Sequence, residues 1–331
     1  MVFHRKAGQN RGGAGVTFRQ HLEHAGLVLA GWLVASLSWR WVVCGSRVIG
    51  SLAYRLDPKG RRVCRQNLDA VFGEGMAPAE KDRIAKAGYR SFARTMLELF
   101  WSPNLTAGKM DRMFRSEGLG QGRPGGAIYV TTHSSNFEWL GQNVARFLGP
   151  GIVVAQRLKN PLLGAGFDRL RGSTGHAIIP QERAIARMLK HLREGGYFCA
   201  VVDLNLDPSE ASVIIDEFSG LKTCVTQLHA ALALHTGAAI IPSECIPLAD
   251  GTYRMVYHPP LEIAPDASAA EIAQQCWNVL EPGILARPEH WLWSYKHWRF
   301  RPSGDGAARY PAYANSATRF DRALLASPSP G

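Results

Sequence analysis

The chain predicts an α/β protein: a sheet flanked by helices, preceded by a membrane-associated helix and a helical segment. Three observations carry this. After the glycine-rich stretch 118–126, short apolar runs alternate with helical patterns. Between Asp57 and Trp101 the apolar residues recur at helical spacing. From Ala25 to Trp39 there is no charged residue at all.

The first 20 residues form a Gly- and Arg-rich leader, expected to be disordered. Residues 21–56 form the membrane-associated helix. The uncharged run is interrupted at Arg40 and resumes with Trp41-Val42-Val43-Cys44, so it is short against the ~20 apolar residues that a spanning helix needs. The long leader and the lack of a small-residue cleavage site argue against a signal peptide. A spanning anchor would hold Arg5, Lys6, Arg11 and Arg19 on the cytoplasmic side. An interfacial helix would place Trp32, Trp39 and Trp41 at headgroup depth with Arg40 snorkelling. These two alternatives stay open beside a buried soluble helix.

Residues 57–301 form the main domain, helical over 57–117 and α/β over 118–301. In the helical part, Arg61 to Leu68 is followed by a break at Gly73–Gly75. Pro78-Ala79-Glu80 then starts a longer amphipathic helix bearing Ile84, Ala87, Phe92, Met96, Leu99 and Phe100. Strands are expected at 127–132, 151–155, 176–180, 197–202, 238–245 and 252–258, with helices at 137–148, 182–194 and 224–236. Residues 302–331 are rich in Pro, Ser, Ala and Gly and are expected to form a flexible tail.

Lys and Arg number 38 against 27 acidic residues, a net charge of +11. The excess suits an anionic partner. No zinc-finger spacing or aromatic RNA-binding motif accompanies it, which argues against nucleic acid. The six cysteines (Cys44, Cys64, Cys199, Cys224, Cys245 and Cys276) include no C-x-x-C pair. They fit buried thiols of a reducing compartment, with no metal site.

The chemistry-bearing stretch is His133-Ser134-Ser135-Asn136-Phe137-Glu138, after the apolar run Ala127-Ile128-Tyr129-Val130. In one continuous helix two residues five apart point about 140° away from each other. With His133 ending a strand and Ser135 or Asn136 capping a helix, the turn can return Glu138 to the imidazole. A carboxylate that orients a histidine makes a general base without a serine or cysteine nucleophile.

Further segments join this element in order: Arg61 to Phe72 as R-x5-N-L-x3-F, Gln156-Arg157-Leu158-Lys159-Asn160-Pro161-Leu162, and Arg171-Gly172-Ser173-Thr174-Gly175. Glu194-Gly195-Gly196 then leads into Val201-Val202-Asp203, and Arg287-Pro288-Glu289-His290-Trp291-Leu292-Trp293 ends in Trp298-Arg299-Phe300-Arg301-Pro302. Over about Leu22 to Pro302 the chain resembles the bacterial lipid A biosynthesis acyltransferase family, the late lauroyl and myristoyl acyltransferases.

The resemblance implies a mixed central sheet like that of glycerolipid acyltransferases, at the cytoplasmic face of the inner membrane. It implies transfer of a fatty acyl chain from acyl carrier protein, or a coenzyme A thioester, onto a hydroxyl of a lipid A precursor, without a cofactor. It places the catalytic dyad on His133 and Glu138, with His133 as base and Glu138 fixing its tautomer. Arg157 and Arg171 match basic positions suited to substrate phosphates, whereas Arg169 fits a plain surface arginine. Asp203 is carried over as a substrate-site residue, but the family's D-Q-D is Asp203-Leu204-Asn205 here. The usual double phenylalanine is Glu217-Phe218-Ser219-Gly220, and the C-terminal basic cluster Tyr295-Lys296-His297-Trp298-Arg299 is a partial match. These departures point to another acyl length or acceptor, such as a different glycolipid or phospholipid. A non-catalytic lipid-binding relative is the contrasting reading, against which His133 and Glu138 both stand.

Overall fold

Thr17 starts the first helix. Its hydroxyl accepts from Gln20 N while the Gln20 side chain accepts from Thr17 N, a reciprocal cap that satisfies two helix-end donors. The computed structural model describes residues 16–120, 126–155, 158–180, 184–208, 212–304 and 307–326. Most of the basic leader thus lies outside the described residues.

Helix α1 (Phe18–Ser36) ends at Leu37, and Ser38 starts α2 (Trp39–Leu56). The uncharged run is therefore broken into two helices at Leu37–Ser38. Among the described residues, no helix is long and apolar enough to cross a membrane. None of α1's residues is buried, and Phe18, Leu22, Val28, Leu29, Trp32 and Leu33 stay exposed. Helix α2 buries only Val42, Ser46 and Gly50 and exposes Trp41, Val48, Ile49, Leu52 and Leu56. Helix α1 is therefore not a buried core helix, whereas α2 is buried along one face.

Asp57 caps α3 (Pro58–Phe72) through Gly60 N, with Pro58 in the first turn, where its missing N–H costs nothing. Helix α4 (Pro78–Trp101) packs along α2, and α5 (Ala107–Met113) leads into strand β1 (Phe114–Glu117). Strand β2 (Ala127–Thr131) is buried at every position. Next come α6 (Phe137–Leu148), β3 (Ile152–Ala155), α7 (Pro161–Arg171), β4 (Ala177–Pro180), α8 (Ala184–Arg193) and β5 (Tyr197–Val201). A hairpin of β6 (Ser212–Phe218) and β7 (Leu221–Thr226) precedes α9 (Leu228–Thr236), β8 (Ala239–Pro247), β9 (Tyr253–Tyr257) and α10 (Ala269–Ala286). The chain closes with β10 (Phe300–Arg301), β11 (Asn315–Ser316) and α11 (Thr318–Ala326).

The main sheet has seven strands in the order β1-β9-β8-β2-β5-β3-β4. Every neighbouring pair is parallel except β8 with β9, so the sheet is mixed. Its central strand alternates faces: Tyr129 packs with Trp139, Val144 and Ile241, while Ile128 and Val130 pack with Phe198, Ile240 and Leu280. A third core joins Phe218, Trp277, Trp291, Trp293 and Trp298, so the C-terminal tryptophans serve the interior.

Two expectations need correction. The helix expected over 224–236 begins at Leu228, because Cys224–Thr226 pair with β6. The tail is not loose over its described part. Strand β10 pairs with β11, and Phe320 of α11 is fully buried against Ile214 and Cys224.

Candidate active site

Parallel pairing places Thr131 of β2 opposite Val201 of β5. Both strands end there, and the pairing extends one step as Val202 N donates to Thr131 O at 2.9 Å. His133 and Asp203 each lie two residues further on, so the register itself brings them together. This is the carboxyl end of the sheet, between strands whose connections leave in opposite directions, β2 toward β3 and β5 toward β8.

His133 Nδ1 lies 2.6 Å from Asp203 Oδ1, and His133 N donates to Asp203 Oδ2 at 2.8 Å. Trp291 Nε1 donates to the same Oδ2 at 2.8 Å. A neutral ring that donates from Nδ1 carries its lone pair on Nε2, and His133 lines the cavity described below. Burial alone would raise the Asp203 carboxyl. The charge and hydrogen bonds of His133, with help from His297, instead hold it well below the usual carboxylate range. Phe137 presses edge-on against the imidazole at 4.8 Å between centroids.

Glu138, expected to bond the imidazole, is bonded in this structure to Arg171. Asn136 Oδ1 caps Trp139 N and fixes the start of α6, which places Glu138 in the first turn. There its carboxylate meets Arg171 at the end of α7: Nη2 donates to Oε1 at 2.7 Å, and Nε donates at 3.1 Å. Burial disfavours the Arg171 charge, but Glu138 outweighs it and raises the guanidinium above its ordinary value. The helix cap expected at Ser135 or Asn136 is thus Asn136. The carboxylate on the imidazole is Asp203, whereas Glu138 belongs to an ion pair beside it. Arg157 lies outside the described residues.

The turn that carries His133 is held from two sides. Ser135 has φ of 51°, left-handed for a residue with a side chain. Its N–H donates to His290 O at 2.8 Å, and its carbonyl accepts from Thr95 Oγ1 at 2.7 Å. Asn136 Nδ2 donates to Glu98 Oε2 at 2.6 Å, and that fully buried carboxylate also accepts from Tyr253 and Arg94. Sequence reasoning missed Glu98 and the positioning role of Trp291. A carboxylate in the middle of α4's apolar face was the available signal for the first.

The departure at Asp203-Leu204-Asn205 has a local cause. Asn205 is buried, and Nδ2 donates to Thr223 Oγ1 and to Cys224 O. A carboxylate there could not donate to that carbonyl. Asn205 ties the β5 exit to the β6–β7 hairpin, while Leu204 lines the cavity.

That cavity has a volume of about 370 Å³. His133, Glu138 and Arg171 supply polar groups, and Leu140, Val144, Val153, Val154 and Phe198 supply apolar wall. A mostly apolar slot with an imidazole and an ion pair among its lining residues has the make-up of a small-molecule or lipid site.

A family model described as bacterial lipid A biosynthesis acyltransferase matches residues 17–300, and the chain belongs to that family. It is an acyltransferase of this group. The phosphatidylinositol mannoside acyltransferase of Mycolicibacterium smegmatis is 28% identical over 263 residues, covering 76% of this chain and 83% of that protein. The lipid A biosynthesis lauroyltransferase of Escherichia coli is 26% identical over 286 residues, covering 82% and 90%. The lipid A biosynthesis palmitoleoyltransferase of Escherichia coli is 24% identical over 296 residues, covering 83% and 93%. Among solved structures, the 1-acyl-sn-glycerophosphate (LPA) acyltransferase PlsC from Thermotoga maritima aligns with a TM-score of 0.34 and 16% identity, over 72% of this chain and 96% of that one.

Proposed function

We propose that the protein moves a fatty acyl chain from an acyl thioester, acyl carrier protein being the favoured donor, to a hydroxyl of a lipid A precursor. The observation that carries this reading is a histidine, held by a buried aspartate, lining an apolar cavity. The acceptor hydroxyl attacks the thioester carbonyl carbon while His133 Nε2 takes its proton. The new C–O bond forms, the C–S bond breaks, and the imidazolium returns the proton to the departing thiolate. Asp203 keeps the imidazole in the Nδ1–H form and stabilises its charged state. Glu138 and Arg171 act as a pair: the carboxylate fixes the guanidinium, whose remaining donors suit a phosphate on either substrate. No cofactor enters these steps.

We propose the cytoplasmic face of the inner membrane as the place of the reaction. The exposed apolar surface of α1 and α2 supports an interfacial seat, and the charge of +11 favours both an acidic carrier protein and an anionic lipid surface. A second acceptor, a mannosylated phosphatidylinositol, is favoured by the 28% identity to an enzyme named for that lipid.

The test is an assay pairing each donor, acyl carrier protein or coenzyme A thioester, with each acceptor, read by mass spectrometry for one acyl increment. Acyl gain on the lipid A precursor from acyl carrier protein is expected, and its loss in His133→Ala. Full turnover in that variant would sink the mechanism. Alkaline carbonate extraction of membranes should release the intact protein, whereas retention would restore the spanning anchor.

A further inference from the structure

Away from the cavity, a second recess of about 230 Å³ lies between α2 and α4 and is lined by the arginines Arg47, Arg90 and Arg94. We propose that it binds the phosphate of an anionic phospholipid headgroup. The inference rests on the reading of α1 and α2 as the lipid-facing surface.

Beside the recess the two helices nearly touch. A Cβ on Gly50 would stand 2.4 Å from Arg90 Cα, so only glycine permits this approach. The contact sets Arg90 beside α2, where Nε donates to Ser51 Oγ at 2.8 Å. Arg47 sits one turn earlier on α2, at the margin between its buried row of Val42, Ser46 and Gly50 and its exposed apolar residues.

The charges are unequally committed. Arg94 is neutralised by Glu98 at 2.8 Å. Among the described residues neither Arg47 nor Arg90 has a carboxylate within ion-pair distance, and the single carboxylate lining the recess is Glu289. Two guanidinium groups without a carboxylate partner among the described residues thus lie beside an apolar surface that exposes Trp41 and Val48 at 67% and 66%. Planar forks of donors match phosphate oxygens in a bidentate way. A phosphate at the level where an apolar face enters a bilayer is a lipid headgroup.

The experiment is vesicle co-sedimentation of the full chain, without acceptor lipid, on pure phosphatidylcholine and on phosphatidylcholine with phosphatidylglycerol. The wild type should bind both, and the anionic vesicles more tightly. Arg47→Gln and Arg90→Gln should each weaken anionic binding roughly five-fold and leave neutral binding unchanged. Arg193→Gln on α8, an equal loss of exposed charge elsewhere, should change little. Arg47 is exposed, so its variant should melt as the wild type does.

Equal binding of wild type to both vesicles would overturn the phosphate site while sparing the lipid-facing surface. Binding to neither would remove both. An Arg193→Gln effect as large as the others would reduce the site to general charge. Competition by millimolar inorganic phosphate with no headgroup preference would mark a free-anion site instead. A higher KM for acceptor with unchanged vesicle binding would assign the recess to the acceptor's own phosphate.

Discussion

At the level of single residues, the two carboxylates near His133 have separate work because they reach it from different elements. Asp203 arrives just past the end of a neighbouring strand and takes Nδ1, whereas Glu138 leaves the first turn of α6 toward Arg171. Mutation should separate them. Asp203→Asn keeps the shape but offers an amide to the imidazole and leaves Trp291 Nε1 facing a weaker acceptor. We expect kcat to fall by about two to four orders of magnitude with KM little changed. Combining it with His133→Ala should add almost nothing, since the two act as a unit. Glu138→Gln removes the counter-charge of Arg171 and leaves the His133–Asp203 bond intact, so its main effect should be a higher KM. Steady-state kinetics on the two single variants decide this. A kcat loss confined to Glu138→Gln would return the orienting role to that residue.

At the level of elements, legibility followed locality. The β2–turn–α6 unit was readable because a buried apolar run, a strong Asn cap and an apolar helix face lie within some 20 residues. The His133–Asp203 contact was not, because it depends on β5 pairing with β2 across a sequence separation of 70. Spacing along the chain carries no such register. Helix α10 escaped because Pro282 interrupts its pattern, although Ser268 and Glu271 form a capping box at its start. The run from Ala25 was legible as helix, but its division at Leu37–Ser38 was not. Another local detail hidden from the sequence is Gly50, whose missing side chain sets the spacing of α2 on α4. Gly50→Val should force the helices apart at a cost of about 1–3 kcal/mol. Thermal melting should fall by several degrees, while a variant that melts like wild type would show that α2 yields without loss.

At the scale of the whole molecule, acid stability should depend on histidines that folding shuts away from water. His229 on α9 is 1% exposed, and among the described residues neither ring nitrogen has a hydrogen-bond partner. Burial therefore pushes it down to about 4, from an ordinary value of 6.5. Between those values the unfolded chain binds a proton that the native state refuses. The stabilising contribution is complete above pH 6.5 and is lost as the pH falls toward 4. From pH 7 to pH 5 the loss from this one group is about 2 kcal/mol. His297 is also pushed down to about 4 by burial and acts in the same window. A comparison between wild type and His229→Leu cancels that shared part. Urea unfolding at pH 7 and pH 5 should give the variant the smaller acid loss, by about 2 kcal/mol. Equal losses in the two proteins would mean that His229 takes up its proton in the native state, through a partner that its packing between β8 and the cavity now denies it.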